Sequence, residues 1–184
     1  MTTPLKVLLR SNYLNVFAYS LFGPLYALHV VQVGGSAFHV GATWSMYMFI
    51  TGISLIYLSK IADKSDRNKK VMIVCGYFIL SIGAFMFVFV QNTTQIYLVQ
   101  ILNALGVGLL NPSWKALYSK LEDKGKEAQE WASFDGGNTI LTAMAALMGG
   151  LFITYFSFQL LFFIISAIQL IAAFISLKIL QKQS

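Results

Sequence analysis

Six long runs of apolar residues divide the chain, and short polar segments separate them. A helix needs about 20 mostly apolar residues to cross the hydrocarbon core of a bilayer. Continuous runs of this length exclude a β-barrel, whose strands alternate apolar and polar residues over about ten positions. The pattern predicts an all-α integral membrane protein with one six-helix transmembrane domain over residues 1–184. Its spans are predicted at about 11–31, 38–58, 71–90, 95–117, 133–155 and 158–179.

Polar side chains recur within these runs at helical spacing, which marks one face of each helix. The face of the first span is formed by Asn12, Asn15, Tyr19, Phe22, Tyr26 and His29. The corresponding face of the fourth span is formed by Tyr97, Gln100, Asn103, Val107, Asn111 and Trp114. Shorter stripes follow in the second span (Thr43, Tyr47, Thr51, Ser54) and the fifth (Asp135, Asn138, Thr142). Because polar groups are costly in lipid, these faces are expected to point into the bundle or toward a water-filled cavity.

Two explanations of the stripes differ in what they imply about function. Hydrogen bonding between helices needs no substrate, and it suits the isolated serines and threonines. The first and fourth stripes carry more amides and tyrosines than packing requires, which favours a substrate cavity. The residues predicted to line that cavity are Asn12, Asn15, Tyr19, Phe22, Tyr26, Tyr47, Gln100, Asn103, Asn111, Trp114 and Asn138.

Asp135 is the one acid placed near the interior of a predicted span. At a helix centre an acid costs about 2.5–3.5 kcal/mol on insertion scales. The helix dipole reduces that cost near a helix N-terminus. Asp135 is therefore either a carrier of a coupling proton or cation, or a first-turn acid that faces the cytoplasm.

Composition and charge support a membrane protein and set its orientation. Hydrophobic residues make up 57% and charged residues 11% of the chain, and a soluble protein this small could not bury so much apolar surface. All 13 Lys and Arg residues, Lys182 included, fall in the segments that would be inside if the N-terminus is cytoplasmic. The positive-inside rule then predicts that both termini are cytoplasmic and that the protein is a multi-pass protein of the plasma or inner membrane. The net charge of +6 does not indicate nucleic acid, because the basic residues form no continuous face.

Few residues offer chemistry for an enzyme. The single Cys75 excludes an intrachain disulfide and a Cys-based zinc site. His29 and His39 have no carboxylate or cysteine at ligand spacing, so no metal site is predicted. Ser36 and His39 lack an orienting acid, which argues against a hydrolase. We expect no enzymatic activity, no metal and no cofactor.

The segment "SKIADKSDRNKK", residues 59–70, concentrates charge between the second and third spans. It resembles a loop of the major facilitator superfamily, Gly-x-x-x-Asp-(Arg/Lys)-x-Gly-Arg-(Arg/Lys)-(Arg/Lys). Asp63, Lys64, Arg67 and Lys69 match its acidic and basic positions, whereas Ser59 and Asp66 replace its two glycines. The resemblance implies that these four residues form a conformational latch on the cytoplasmic side.

Other features of that family are partly present. Gly106 and Gly108 match a Gly-x-Gly of the fourth span, but Leu102 stands where the family usually carries an arginine. Gly149 and Gly150 match the end of a glycine-rich motif of drug antiporters, whose preceding Gly-Pro is Ala145 and Ala146 here. The four glycines are expected to allow close helix packing.

Superfamily members usually have two six-span halves, and this chain resembles the N-terminal half alone. The resemblance implies a half-size secondary transporter that moves a small solute by alternating access, with a proton as a candidate coupling ion and efflux as a candidate direction. We expect a homodimer that encloses the cavity between two copies. The alternatives are a fragment, one half of a hetero-oligomeric transporter, and a non-transporting membrane scaffold. The start "MTTP" and the end "QKQS" slightly favour a complete product.

Overall fold

The computed structural model describes residues 3–122 and 124–180, all in helices, turns and short connections without a β-strand. Lys182 and the two ends of the predicted domain therefore lie outside the described residues. Within the described part of the chain, six helical segments are long and apolar enough to cross a membrane. They comprise Thr3–Phe22 continued by Tyr26–Gln32, then Ala37–Ala62, Asp66–Phe87, Thr93–Leu121, Glu127–Tyr155 and Phe158–Ser176. We call them the first to sixth spans.

The helices continue past the apolar segments at one end of the bundle, which carries Lys6, Arg10, Lys60, Lys120 and Lys178. We call this the basic end. Helical backbone satisfies its own hydrogen bonds in water as well as in lipid, so the charged flanks extend the helices by a turn or more.

Two prolines act differently. Pro24 lies in a 3-10 turn, Gly23–Leu25, that interrupts the first span. Proline lacks the backbone N–H that an α-helix needs, and a tight turn at this point accommodates the loss. Pro112 lies inside the fourth span, which continues as one helix from Thr93 to Leu121.

The spans pack in an order that differs from their order in the chain. The main contacts join the second span to the fourth, the fourth to the third, the third to the sixth, the sixth to the first and the first to the fifth. The second and fifth spans therefore lie at the two ends of this arrangement. The first and fourth spans face each other with little direct packing.

The second span illustrates how a membrane helix is oriented by its polar residues. Its predicted polar stripe is buried, namely Thr43, Tyr47, Thr51 and Ser54. Its large apolar side chains, such as Phe49 and Ile56, are exposed on the outside of the bundle. This polar-inside, apolar-outside arrangement is the one that lipid favours.

The fifth span contacts the rest of the bundle mainly through the first. Asn12 Nδ2 donates a hydrogen bond to Asn138 Oδ1 at 3.1 Å. The hydroxyls of Ser20 and Thr142 lie 3.1 Å apart nearer the opposite end. The fifth span buries three residues, Phe134, Ala145 and Gly149, so most of its surface remains available to lipid or to another helix.

Candidate functional site

A cavity of about 50 Å³ lies between the first and fourth spans, with walls from the second, third and sixth. Six of the predicted cavity residues line it: Tyr19, Phe22, Tyr26, Tyr47, Gln100 and Asn103. No Asp, Glu, Lys, Arg or His is among the described residues of its wall. The site can therefore offer aromatic faces, hydroxyls and amides to a solute, but no formal charge.

Hydrogen bonds hold part of the cavity wall in place. The Tyr26 hydroxyl donates to Thr43 Oγ1 at 2.5 Å. The Thr43 hydroxyl in turn donates to the His39 carbonyl oxygen at 2.6 Å. The ring of Tyr26 also lies edge-on to Phe22, with centroids 5.8 Å apart. This chain of contacts fixes the second part of the first span, Tyr26–Gln32, against the second span.

The cavity is incomplete on one side. Tyr19 and Trp44 both line it, yet they are 45% and 39% exposed. Sites for small molecules usually enclose about 300–1,000 Å³, several times the volume found here. One six-span unit therefore forms one wall of a binding site and not an enclosed pocket.

The other predicted cavity residues lie elsewhere in this conformation. Asn12 and Asn138 bond to each other, and Trp114 Nε1 donates to the Leu8 carbonyl oxygen at 3.3 Å. Asn15 is half-buried in the first span, Asn111 is exposed near the basic end, and Asp135 is exposed on the fifth span. Their part in a substrate cavity or in coupling stays a prediction.

His29 continues the polar stripe of the first span but lies behind the cavity wall. It is buried among four phenylalanine rings whose centroids are 4.9–6.0 Å from its own, Phe22, Phe87, Phe158 and Phe162. These rings separate the imidazole from the polar groups of the cavity.

Comparison with known proteins identifies the family. The sequence model that describes the Major Facilitator Superfamily matches residues 11–183 of this chain. The chain belongs to the major facilitator superfamily.

Individual superfamily members match over different shares of their length. The chain is 22% identical over 168 residues to the uncharacterized MFS-type transporter YitZ of Bacillus subtilis, covering 88% of this chain and 98% of YitZ. It is 24% identical over 157 residues to the proton-coupled antiporter flippase LtaA of Staphylococcus aureus, covering 79% of this chain and 38% of LtaA. The chain thus spans nearly all of one relative and little more than a third of the other.

A solved structure shows the same fold. The in meso crystal structure of the POT family transporter PepTSo matches 97% of this chain and 37% of its own, with a TM-score of 0.71 and 13% identity. With six apolar spans and superfamily relatives from bacteria, the protein is a multi-pass protein of the cell membrane. Its family is one of transporters.

An ion pair joins the loop that carries the superfamily motif to the fourth span. Lys69 Nζ lies 3.8 Å from Asp63 Oδ1 and 3.6 Å from Asp66 Oδ1. Asp66, which replaces the second glycine of the motif, also pairs with Lys120 at the end of the fourth span. Asp63 is largely exposed despite its contact with Lys69. Lys64 and Arg67 are exposed as well.

The four glycines predicted to allow helix packing lie in different surroundings. A Cβ on Gly106 would lie 3.0 Å from Ile79 Cγ2 of the third span. A Cβ on Gly108 would overlap Ser54 of the second span, and one on Gly149 would overlap the Leu21 carbonyl of the first. No atom lies within 4 Å of the corresponding point on Gly150.

Among the cavity residues that were not predicted from the sequence, Trp44 and Gln169 are the two with polar side-chain atoms. Trp44 is adjacent to the buried stripe of the second span, and aromatic residues are common on lipid-facing helices. Gln169 lies in the most apolar span, in which Gln159 is the other amide. An amide within so apolar a helix is a signal that could have identified it, because polar groups are costly in lipid.

Proposed function

We propose that the protein is a half-size secondary transporter that moves a small uncharged or amphipathic solute by alternating access. We further propose that two copies form a homodimer and enclose the solute between them. The observation that carries this proposal is the one-sided cavity, whose aromatic and amide wall is open where Tyr19 and Trp44 are exposed. A second six-span unit would close that side, as the second half does in transporters with two halves.

The packing order of the spans supports a particular dimer. The second and fifth spans are the ends of the arrangement. A two-fold axis beside the cavity would bring the second span of one copy against the fifth span of its partner, and the reverse. Both contacts would be identical, and both open edges would be covered.

The relatives add support of different kinds. YitZ is a relative of similar length, since the chain covers 98% of it. LtaA is named as a proton-coupled antiporter flippase, which supports a proton as the coupling ion. Export of the solute is our proposal for the direction.

Flux into proteoliposomes tests the proposal. Purified protein should exchange at least one uncharged aromatic solute from a panel, and an imposed proton gradient should change the rate. Absence of flux for every solute, together with a monomeric mass in native mass spectrometry, would overturn the proposal. In that case a non-transporting scaffold, or a subunit that needs a different partner, would fit better.

Asp135 is the proposed proton-coupling residue, and its exposed place on the fifth span would lie beside the partner's second span in this dimer. Asp135→Asn is expected to retain exchange of solute but to lose acceleration by the proton gradient, because an amide does not release a proton at neutral pH. Exposed Glu127 on the same helix provides a matched control as Glu127→Gln. If Asp135→Asn keeps full gradient dependence, Asp135 has no part in coupling.

The latch residue Asp63 provides a test of the dimer itself. We propose that it meets the N-terminal end of the partner's fifth span, where the helix dipole favours an acid. Asp63→Cys in one chain and Ser133→Cys in another, both with Cys75→Ser, should form a disulfide when the two chains are expressed together and oxidised.

Each single-cysteine chain alone serves as the control for that cross-link, because a disulfide within one chain is impossible. A disulfide requires the two Cα atoms to be within about 7 Å. Failure of the mixed chains to cross-link under conditions in which flux is measured would contradict the proposed pairing of the second and fifth spans.

A further inference from the structure

Two primary amides are buried in the wall of the cavity. Gln100 of the fourth span is 5% exposed and Gln169 of the sixth span is 4% exposed. Both line the same cavity of about 50 Å³. Gln169 Oε1 is fully buried and accepts no hydrogen bond from any residue that the structure describes.

Packing between helices does not account for Gln169. Ser166, one turn earlier on the same helix, already joins the sixth span to the third. Its hydroxyl donates to the Ser81 carbonyl oxygen at 3.0 Å, and the Ser81 hydroxyl donates to the Ser166 carbonyl oxygen at 2.9 Å. The serines supply the interhelical hydrogen bonds, and the amide oxygen beside them is left without a donor.

A buried acceptor without a donor is costly, so the site favours a solute that brings one. A primary amide presents a carbonyl acceptor next to an N–H donor, and the matching group is an N–H beside a carbonyl. Glutamine and asparagine side chains recognise the edges of nucleobases in this bidentate manner.

Much of the remaining wall is aromatic. Phe87 and Phe162 are stacked with centroids 4.8 Å apart, and Phe22 meets Phe162 edge-on at 4.7 Å. Planar rings pack well against such a surface. The described wall residues carry no formal charge, and a charged solute would lose its hydration without finding a partner.

We infer that the solute is an uncharged, planar heterocycle with a lactam edge, in which an N–H lies beside a carbonyl. Gln169 accepts a hydrogen bond from that N–H, and Gln100 supplies a second amide for the polar edge of the heterocycle. The phenylalanine rings pack against the plane of the heterocycle. This inference rests on the proposed transport function and narrows the class of solute.

The inferred class of solute is tested by measuring how matched probes bind to the purified full chain in nanodiscs. The probes are radiolabelled uracil and 2-quinolone, and the competitors are 1,3-dimethyluracil and 1-methyl-2-quinolone, in which methyl groups replace the N–H donors. Each parent compound is expected to bind at least about tenfold more tightly than its methylated form, since an unsatisfied buried polar group has a cost of this order.

Gln169→Leu should remove that preference, so that parent and methylated compounds bind equally. The variant is expected to fold, because leucine has a similar size and removes the unpaired oxygen. Gln159→Leu, at an exposed position of the same span, is the matched control and should keep the preference.

The inference is overturned if neither parent compound shows saturable binding, or if Gln169→Leu keeps the preference for the N–H form. Flux of other solutes without any preference for an N–H donor would overturn it and leave the transport proposal standing. Donor-dependent binding without flux would support it and overturn transport.

Discussion

Replacement of Gly149 by alanine is expected to destabilise the protein by about 3 kcal/mol, near the upper end of the usual cost of overpacking. The added Cβ would overlap the Leu21 carbonyl of the first span, which is backbone and cannot rotate away. The first span is the main packing partner of the fifth, so the two helices would have to separate. In a chain of this size the melting temperature should fall by about 10 °C, measured by thermal unfolding in detergent.

The neighbouring glycine is the control for that experiment. No atom lies within 4 Å of a Cβ on Gly150, and alanine is the better helix former by about 1 kcal/mol. Gly150→Ala should therefore leave the melting temperature unchanged or raise it slightly. Equal losses in the two variants would contradict the packing of the fifth span against the first.

Replacement of Gly23 by leucine is expected to abolish transport without unfolding the protein. Gly23 lines the cavity, and no atom lies within 4 Å of a Cβ placed on it. A leucine side chain would occupy much of the 50 Å³ space and exclude the solute. The expected result is flux at the background of empty liposomes together with a normal melting temperature.

Gly41→Leu is the matched control for the cavity variant. Gly41 is exposed in the second span, also has open space around its Cβ position, and does not line the cavity. Its flux should match that of the wild type. Normal flux in Gly23→Leu would show that the solute does not pass through this cavity.

Much of the fold follows from the sequence because lipid imposes few solutions. Backbone groups in the hydrocarbon core must be bonded internally, so a long apolar run becomes a helix. The predicted number of spans is confirmed by six helices of sufficient length and apolarity. The superfamily resemblance carried by residues 59–70 is confirmed by the match over residues 11–183.

The neighbours of each helix were harder to predict. Periodicity shows which face of a helix turns inward, but not which helix that face meets. Asn12 shares a stripe with Tyr19 and Tyr26, yet it bonds across to Asn138 of the fifth span. Trp114 belongs to the stripe of Gln100 and Asn103, yet it bonds to the first span at Leu8. A stripe that spans a whole membrane thus meets different partners at different depths.

The central claim is that two copies share one transport cavity, and coexpression of wild-type and Gly23→Leu chains tests it most directly. Flux is measured in proteoliposomes as the fraction of wild-type chains is varied at constant total protein. If a working transporter needs two copies without the blocking leucine, random pairing predicts that an equal mixture retains about a quarter of the wild-type flux. Flux that falls only in proportion to the wild-type fraction, to about half in that mixture, would contradict a shared cavity in a two-fold dimer.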